Sequence, residues 1–374
     1  MSTKTTSTVT PWEVKGKVDY DKLITEFGLQ PLQYLPDIFQ KNVLFRRRLI
    51  FAHRDFKQII EALDQKKPFV MMTGLMPSGK FHFGHKMVAD QIIFYQNLGA
   101  KIYLAVADVE AYNTRTPDLK ELRETAIAEY LTNYAALGLD LKKCDFYFQS
   151  QRSNDGKKSN AYYSLAQFLA RHATFNEFKA IYGDITPGKM ASSLLQAADM
   201  LHPQLPEFSG PIPIIIPVGA DQDPHLRIAR DLAKRIKLFS LKPLSSTYHK
   251  FMPSLKGDKM SSSDPTSYIA LTDTPEEAAM KVKRYAFSGG QATLEEHRKK
   301  GGNPDVDVAF QMLRYGLEPD DKKLAQLEKE YRSGKLLSGE LKQICIEKLT
   351  AFLKGHQQKR KEVEKAVKKF MLML

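Results

Sequence analysis

Two imidazoles, His82 and His85, stand three residues apart around Gly84, just after the apolar run "PFVMMTGL" and the turn-forming "MPSGK". Three residues apart on a helix is one face. A helix that starts near His82 would present unpaired N–H groups and a partial positive charge in its first turn, both suited to a phosphate. Both rings could then hydrogen-bond one anion, and Gly84, lacking a side chain, would let a flat ring such as adenine rest against the backbone. Two other readings of the pair are a metal site, which would need a carboxylate or cysteine close by in sequence, and plain helix capping. A second group lies far along the chain: Lys259, Ser261 and Ser262 in the Gly- and Ser-rich stretch "GDKMSSSDP". Backbone N–H groups, hydroxyls and one flexible ammonium make a phosphate cradle; a solvated loop is the alternative.

The elements that would hold these groups are legible as patterns. Residues 68–272 alternate short apolar runs ("PFVMMTGL", "KIYLAVADV", "DFYFQS", "IPIIIPVGA") with longer stretches of helical period. Strands apolar on both faces and separated by helices predict a parallel sheet, hence an α/β, Rossmann-type doubly wound catalytic domain, with a helical insertion around residues 151–205. In such folds ligands bind at the carboxyl ends of the strands, where "PFVMMTGL" delivers the histidines. Thr186 reads as a helix N-cap with Pro187 at the first helical position. Residues 1–67 read as a helical N-terminal extension, its first ten or so disordered. Residues 273–374 carry helical patterns only, an all-helical C-terminal domain.

Composition narrows the function classes. The chain has 374 residues, 43% hydrophobic and 26% charged, an ordinary globular mix. The two cysteines, Cys144 and Cys345, exclude a disulfide scaffold or a cysteine-based zinc site and suit a reducing, cytoplasmic setting. No apolar run approaches the ~18 residues of a membrane span, and the N-terminus lacks the apolar core of a secretory signal. Net charge is +13, and residues 321–374 hold fourteen Lys/Arg against seven Asp/Glu. That asymmetry points to a polyanionic partner or to a solvated helical surface.

Taken together, "HFGH" and "KMSSS", in this order and in this setting, resemble the two signatures of class I aminoacyl-tRNA synthetases. "PWEV", "DYDKLI", "RRRLIFAHRD", "HATFNEFKAIYG", "GADQDPHLRIARDLA", "AFSGG" and "EEHRKKGGNPDVDVAF" are similar to the tryptophanyl enzymes of the eukaryotic and archaeal branch, from about residue 11 to the C-terminal helix. The resemblance implies that tryptophan and ATP give tryptophanyl-adenylate and pyrophosphate, followed by transfer to tRNA(Trp). It implies His82, His85, Lys259, Ser261 and Ser262 as catalytic, and Gly74, Ser78, Gly84 and Met260 beside the ATP, with Mg²⁺ arriving on the nucleotide and no dedicated protein metal site. Glu110, Gln196 and Gln222 match the polar positions that take the α-ammonium. A cytoplasmic homodimer with tRNA across both subunits is implied too, and the anticodon contacts fall to the C-terminal helices.

At the indole end the sequence departs from the eukaryotic relatives, where a Tyr and a Gln read the indole N–H. The matching positions are Met72 and Ala105, neither of which can accept that bond well. Asp199, three residues past Gln196 on the same helical face, is the expected acceptor, with Met72 and Met76 as an apolar wall. A tyrosyl enzyme also places an Asp there, so a tyrosine substrate stays open at this point, as do a nucleotidylyltransferase and a non-catalytic tRNA-binding paralogue.

Overall fold

The computed structural model describes residues 18–372 apart from 78, 116–117, 258–259 and 261–263, together with the backbone of two short paired strands, Thr8–Val9 and Val14–Lys15. A seven-stranded sheet runs through its centre: β1 (Gln30–Pro31), β2 (Ile50–Arg54), β3 (Val70–Leu75), β4 (Lys101–Val106), β5 (Cys144–Phe148), β6 (Ile214–Gly219) and β7 (Ser245–His249). The spatial order is β1-β2-β7-β6-β3-β4-β5. From β7 to β5 all neighbours are parallel, whereas β1 and β2 join antiparallel at the other side. The parallel part is the doubly wound order with its reversal between β3 and β6, the position at which open α/β sheets bind ligands.

The sequence itself opens the sheet there. β3 and β6 are paired only at Val70↔Ile214 and Met71↔Ile215. Two residues further on stands Pro217, which has no N–H to offer a neighbouring strand. The two strands therefore part toward their carboxyl ends, while β3 stays paired to β4 through Leu75↔Val106 and β6 to β7 through Gly219↔His249.

The N-terminal segment expected to be helical also contributes β1 and β2 to the sheet. Burial, rather than residue type, follows the strand period, Ile50 and Ala52 facing inward with Phe51 half-buried between them, and the run is too short for a buried helix. Arg54, at its end, donates to both oxygens of the fully buried Asp223 at 2.9 Å, and the Tyr248 hydroxyl also donates to that carboxylate. A buried charge paired on several sides pins the segment in one place.

Among the described residues, everything after Asp273 that has regular structure is helical. Helix α1 (Phe83–Asn97) follows β3, and α2 (Asp108–Thr114) follows β4. Helices α3 (Gly156–Ala170) and α4 (Pro187–Leu201) pack together between β5 and β6. Thr186 caps α4 through Lys189 N–H, with Pro187 at its first position. Helix α5 (Asp223–Arg235) leads from β6 to β7, and α6 (Ser338–Met371), 34 residues long, packs back against the sheet domain. Two apolar cores lie on either side of the sheet, one reaching α6 through Leu349 and Leu353, the other built on α3–α5.

Candidate active site

The parted ends of β3 and β6 form a cleft of about 430 Å³. One rim is the turn after β3 and the start of α1. His82 is the N-cap of that helix and its Nδ1 accepts the Gly84 N–H at 3.1 Å; His85 Nδ1 accepts the His82 N–H at 3.2 Å. The two rings stack with centroids 3.9 Å apart. Helix capping is thus real, and it fixes the chemistry of the rings. An Nδ1 that accepts carries no proton, so each neutral imidazole keeps its proton on Nε2. Burial pushes the His82 pKa down to about 4 and that of His85 well below its ordinary value, the neighbouring His82 adding to the effect. The pair presents two neutral N–H donors in addition to the helix terminus.

Gly84 serves this arrangement more directly than by exposing backbone. A Cβ there would stand 2.9 Å from His82 Cε1 and 3.6 Å from Met260 Sδ. The missing side chain is the space in which the capping ring lies. Met260 also lines the cleft, and the segment after its loop is bridged to the histidine turn at His82↔Ala270.

The opposite wall is carboxylate and amide. Asp199 on α4 is 3% exposed and lines the cleft. Its Oδ1 accepts from the hydroxyls of Tyr147 at 2.7 Å and Tyr162 at 2.6 Å, and its Oδ2 accepts from Gln149 Nε2 at 2.7 Å. Burial raises its pKa to about 6, against the pull of those three donors. A carboxylate has about four acceptor sites, so one remains, on Oδ2. Glu110 on α2 is raised to about 7, chiefly by burial and then by the charge of Asp199, with Arg115 opposing. Gln196, one turn before Asp199, and Gln222, whose Nε2 donates to Asp221 Oδ2 at 3.2 Å, complete the polar wall. Met72, Met76 and Met200 supply its apolar part. At Gly219 the backbone lies close to neighbouring side chains: a Cβ there would stand 2.5 Å from Asp221 Oδ1 and 2.9 Å from the Phe251 ring, so one of them would have to shift.

The family model for tRNA synthetases class I (W and Y) matches residues 64–354, which span both rims of this cleft. The chain belongs to that family. It is 46% identical to a protein of Aeropyrum pernix named tryptophan–tRNA ligase, over 93% of this chain and 94% of that one. It is 41% identical to the protein of the same name from Archaeoglobus fulgidus, over 95% of this chain and 98% of the relative. A crystal structure of tryptophanyl-tRNA synthetase from Aeropyrum pernix superposes with a TM-score of 0.89 at 45% identity, covering 94% of this chain and 96% of the other.

In this synthetase the cleft gathers His82, Gly84, His85, Gly74, Met260, Met72, Glu110, Gln196, Asp199 and Gln222 in one place. Ser78, Lys259, Ser261 and Ser262 lie outside the described residues. Ala105, the other departure at the indole end, is fully buried in β4 and does not line the cleft. Sequence reasoning missed the collar of Asp199. Tyr147 in β5 and Gln149 just past its end are two residues apart, hence on one face of an extended chain, and that polar pair flanking Phe148 was the available signal. It also missed His225, whose Nδ1 lies 2.8 Å from the Tyr182 hydroxyl on the same wall, and His249.

Proposed function

We propose that this synthetase is a tryptophan–tRNA ligase. A tryptophan carboxylate oxygen attacks the α-phosphorus of ATP. The new O–P bond forms as the bond from the α-phosphorus to the oxygen bridging to the β-phosphate breaks, and pyrophosphate leaves with the electron pair. The 3′-terminal ribose hydroxyl of tRNA(Trp) then attacks the acyl carbon, AMP departs, and the hydroxyl proton leaves with the phosphate or to water. The observation that carries the reading is the opposition across one cleft of two Nε2–H donors and a buried carboxylate wall, in a chain whose archaeal relatives bear that name.

The amino-acid carboxylate is already anionic, so no general base is required for activation, and the work is alignment and charge stabilisation at the phosphates. In this proposal His82 and His85 donate to phosphate oxygens, Gly74, Ser78, Gly84 and Met260 border the nucleotide, and Lys259, Ser261 and Ser262 hold the departing pyrophosphate. Mg²⁺ enters as part of the substrate MgATP, bound through phosphate oxygens. Glu110, Gln196 and Gln222 accept from the α-ammonium, whose charge draws the proton off Glu110. Asp199 accepts the indole N–H at its remaining site, against the wall formed by Met72.

tRNA binding falls to the C-terminal helices, where Lys354, Lys359, Lys361 and Lys365 of α6 are exposed. No helix among the described residues is long and apolar enough to cross a membrane. A cytoplasmic homodimer with tRNA shared between subunits belongs to the same proposal. The test is ATP–pyrophosphate exchange. Tryptophan-dependent exchange supports the reading, exchange with tyrosine alone overturns the choice of amino acid, and silence with both overturns the activity.

A further inference from the structure

Behind the histidine pair the chain makes one wide helical turn. Residues Ala126–Leu131 are π-helical, between α-helical stretches Leu119–Thr125 and Thr132–Leu137. Such turns break the regular ladder and persist where other groups satisfy the carbonyls they free. Here three carbonyls have side-chain partners. Thr132 Oγ1 donates to Ile127 O at 2.9 Å, Asn133 Nδ2 donates to Glu129 O, and Arg360 Nη2 donates to Ala128 O at 3.2 Å. The last of these comes from α6, more than two hundred residues further along the chain.

The turn is also the back wall of the active-site histidines. Glu129 Oε2 accepts the N–H of Phe81, the residue before His82, at 3.3 Å. The Tyr130 ring meets His85 edge to face at 5.2 Å, and Phe81 fills the corner, 5.3 Å from His85 and 5.6 Å from Tyr130. A displacement of the turn would be felt at both rings.

A buried polar contact ties the turn to α6. Asn133 is fully buried and His356 of α6 is 4% exposed. Since Asn133 commits Nδ2 to the Glu129 carbonyl, its Oδ1 is the acceptor, and His356 Nε2 donates to it at 2.7 Å. Apolar packing alone tolerates sliding, whereas a buried donor–acceptor pair is satisfied in one position and penalised in others. The same face of α6 also touches α1 directly. Phe352 stacks on His356, with centroids 5.7 Å apart and ring planes 9° from parallel. It meets Phe83 at 5.5 Å, and the Lys86 ammonium lies 5.3 Å over its ring.

We propose that His356 is a positioning residue for activation: through Asn133 and the π turn it sets the placement of His82 and His85 against the phosphates. The inference rests on the reading in which those two histidines contact ATP. It makes α6, which carries the exposed lysines, the element on which the geometry of the phosphate rim depends.

The experiment compares full-length wild type, His356→Ala and His356→Gln in tryptophan-dependent ATP–pyrophosphate exchange, with kcat, the KM for each substrate and Tm measured on the same preparations. Misplacement of an aligning group costs rate steeply, so the alanine variant is expected to lose about tenfold in kcat, with the KM for tryptophan unchanged within about twofold because its wall stands on other elements. Glutamine, whose Nε2 can donate to Asn133 Oδ1, is expected to restore most of that rate. An unchanged kcat for the alanine variant, or equal losses in both variants, would overturn the role. If the alanine variant does not fold, His356→Met, similar in bulk and without a donor, is set against glutamine in its place. Absence of exchange in wild type would instead sink the activity, whereas exchange in wild type with an unimpaired alanine variant sinks this inference alone.

Discussion

The backbone N–H of Leu271 donates to the carbonyl of Phe81 at 2.8 Å, and Phe83 N–H returns a bond to Ile269 at 3.3 Å. The chain leaving the lysine–serine stretch is thereby tied to the chain entering the histidine turn. Two stretches separated by about 190 residues of sequence, the histidine turn and residues 269–271, thus share one backbone frame.

His82 caps α1 and, in the proposed reading, also donates from Nε2 to a phosphate oxygen, and the two duties can be separated. Asparagine is a strong N-cap but places no donor where the imidazole Nε2 stands. His82→Asn is expected to keep Tm within a few degrees of wild type while kcat for ATP–pyrophosphate exchange falls about 10²–10³-fold, the usual loss of one preorganised donor. Thermal melting and exchange kinetics on the same sample check both halves.

Gly84→Ala should be worse than its chemistry suggests. The added methyl would stand 2.9 Å from the His82 ring, and overpacking of this kind destabilises by about 1–3 kcal/mol. We expect a lowered Tm together with a raised KM for ATP, as the ring turns out of its cap; a variant with wild-type values would show that the ring has room to move.

Asp199 holds three donors and has one acceptor site left. Asp199→Asn removes the charge and part of that capacity, and loss of one buried hydrogen bond to a charged group is worth about 1.5–3 kcal/mol, so the KM for tryptophan should rise about ten- to hundredfold. Tyr162→Phe, which frees an acceptor site on Oδ1 without touching Oδ2, should change it far less. Exchange titrations in tryptophan, with tyrosine as the control, make the comparison.

Acid should destabilise the fold before it protonates ordinary carboxylates. His82, His225, His249 and His356 are pushed down to about 4 by burial, and His85 and His202 lie lower than usual for the same first reason. In the unfolded chain these rings titrate near 6.5. Between about 6.5 and 4 the unfolded state therefore binds more protons, and stability falls as pH falls. Asp199 and Glu110, raised to about 6 and 7, act in the opposite sense, but they are two against seven, since burial lowers His53 as well. Calorimetric Tm should decline from pH 7 to pH 5; a flat profile would mean that these rings are charged in the fold.

Much of the site was legible because its residues advertise themselves. His82, Gly84 and His85 sit where an apolar strand ends, and a glycine between imidazoles has few other uses. Asp199 was reachable because it shares a helical face with Gln196. Its collar was not, since Tyr147 and Tyr162 are residue types that fill cores everywhere, and only the fold brings them to one carboxylate. The strand at Ile50–Arg54 was hidden for a different reason. Five residues flanked by helical periods carry too little pattern, and the partner strand lies nearly two hundred residues away. Local sequence cannot signal a pairing that distant, and the Arg54–Asp223 contact that secures it is equally non-local.

That pairing has a consequence for how the protein is made. Ile50–Arg54 and its neighbour on one side, Gln30–Pro31, emerge early from the ribosome, yet its neighbour on the other side, Ser245–His249, follows about 190 residues later. At roughly 5–20 residues per second, the nascent chain carries that strand with one edge open for on the order of ten to forty seconds. An open edge of this sort is a template for wrong partners. Synthesis speed and chaperone supply, rather than the thermodynamic stability of the finished molecule, should therefore govern the yield of soluble protein in a foreign host.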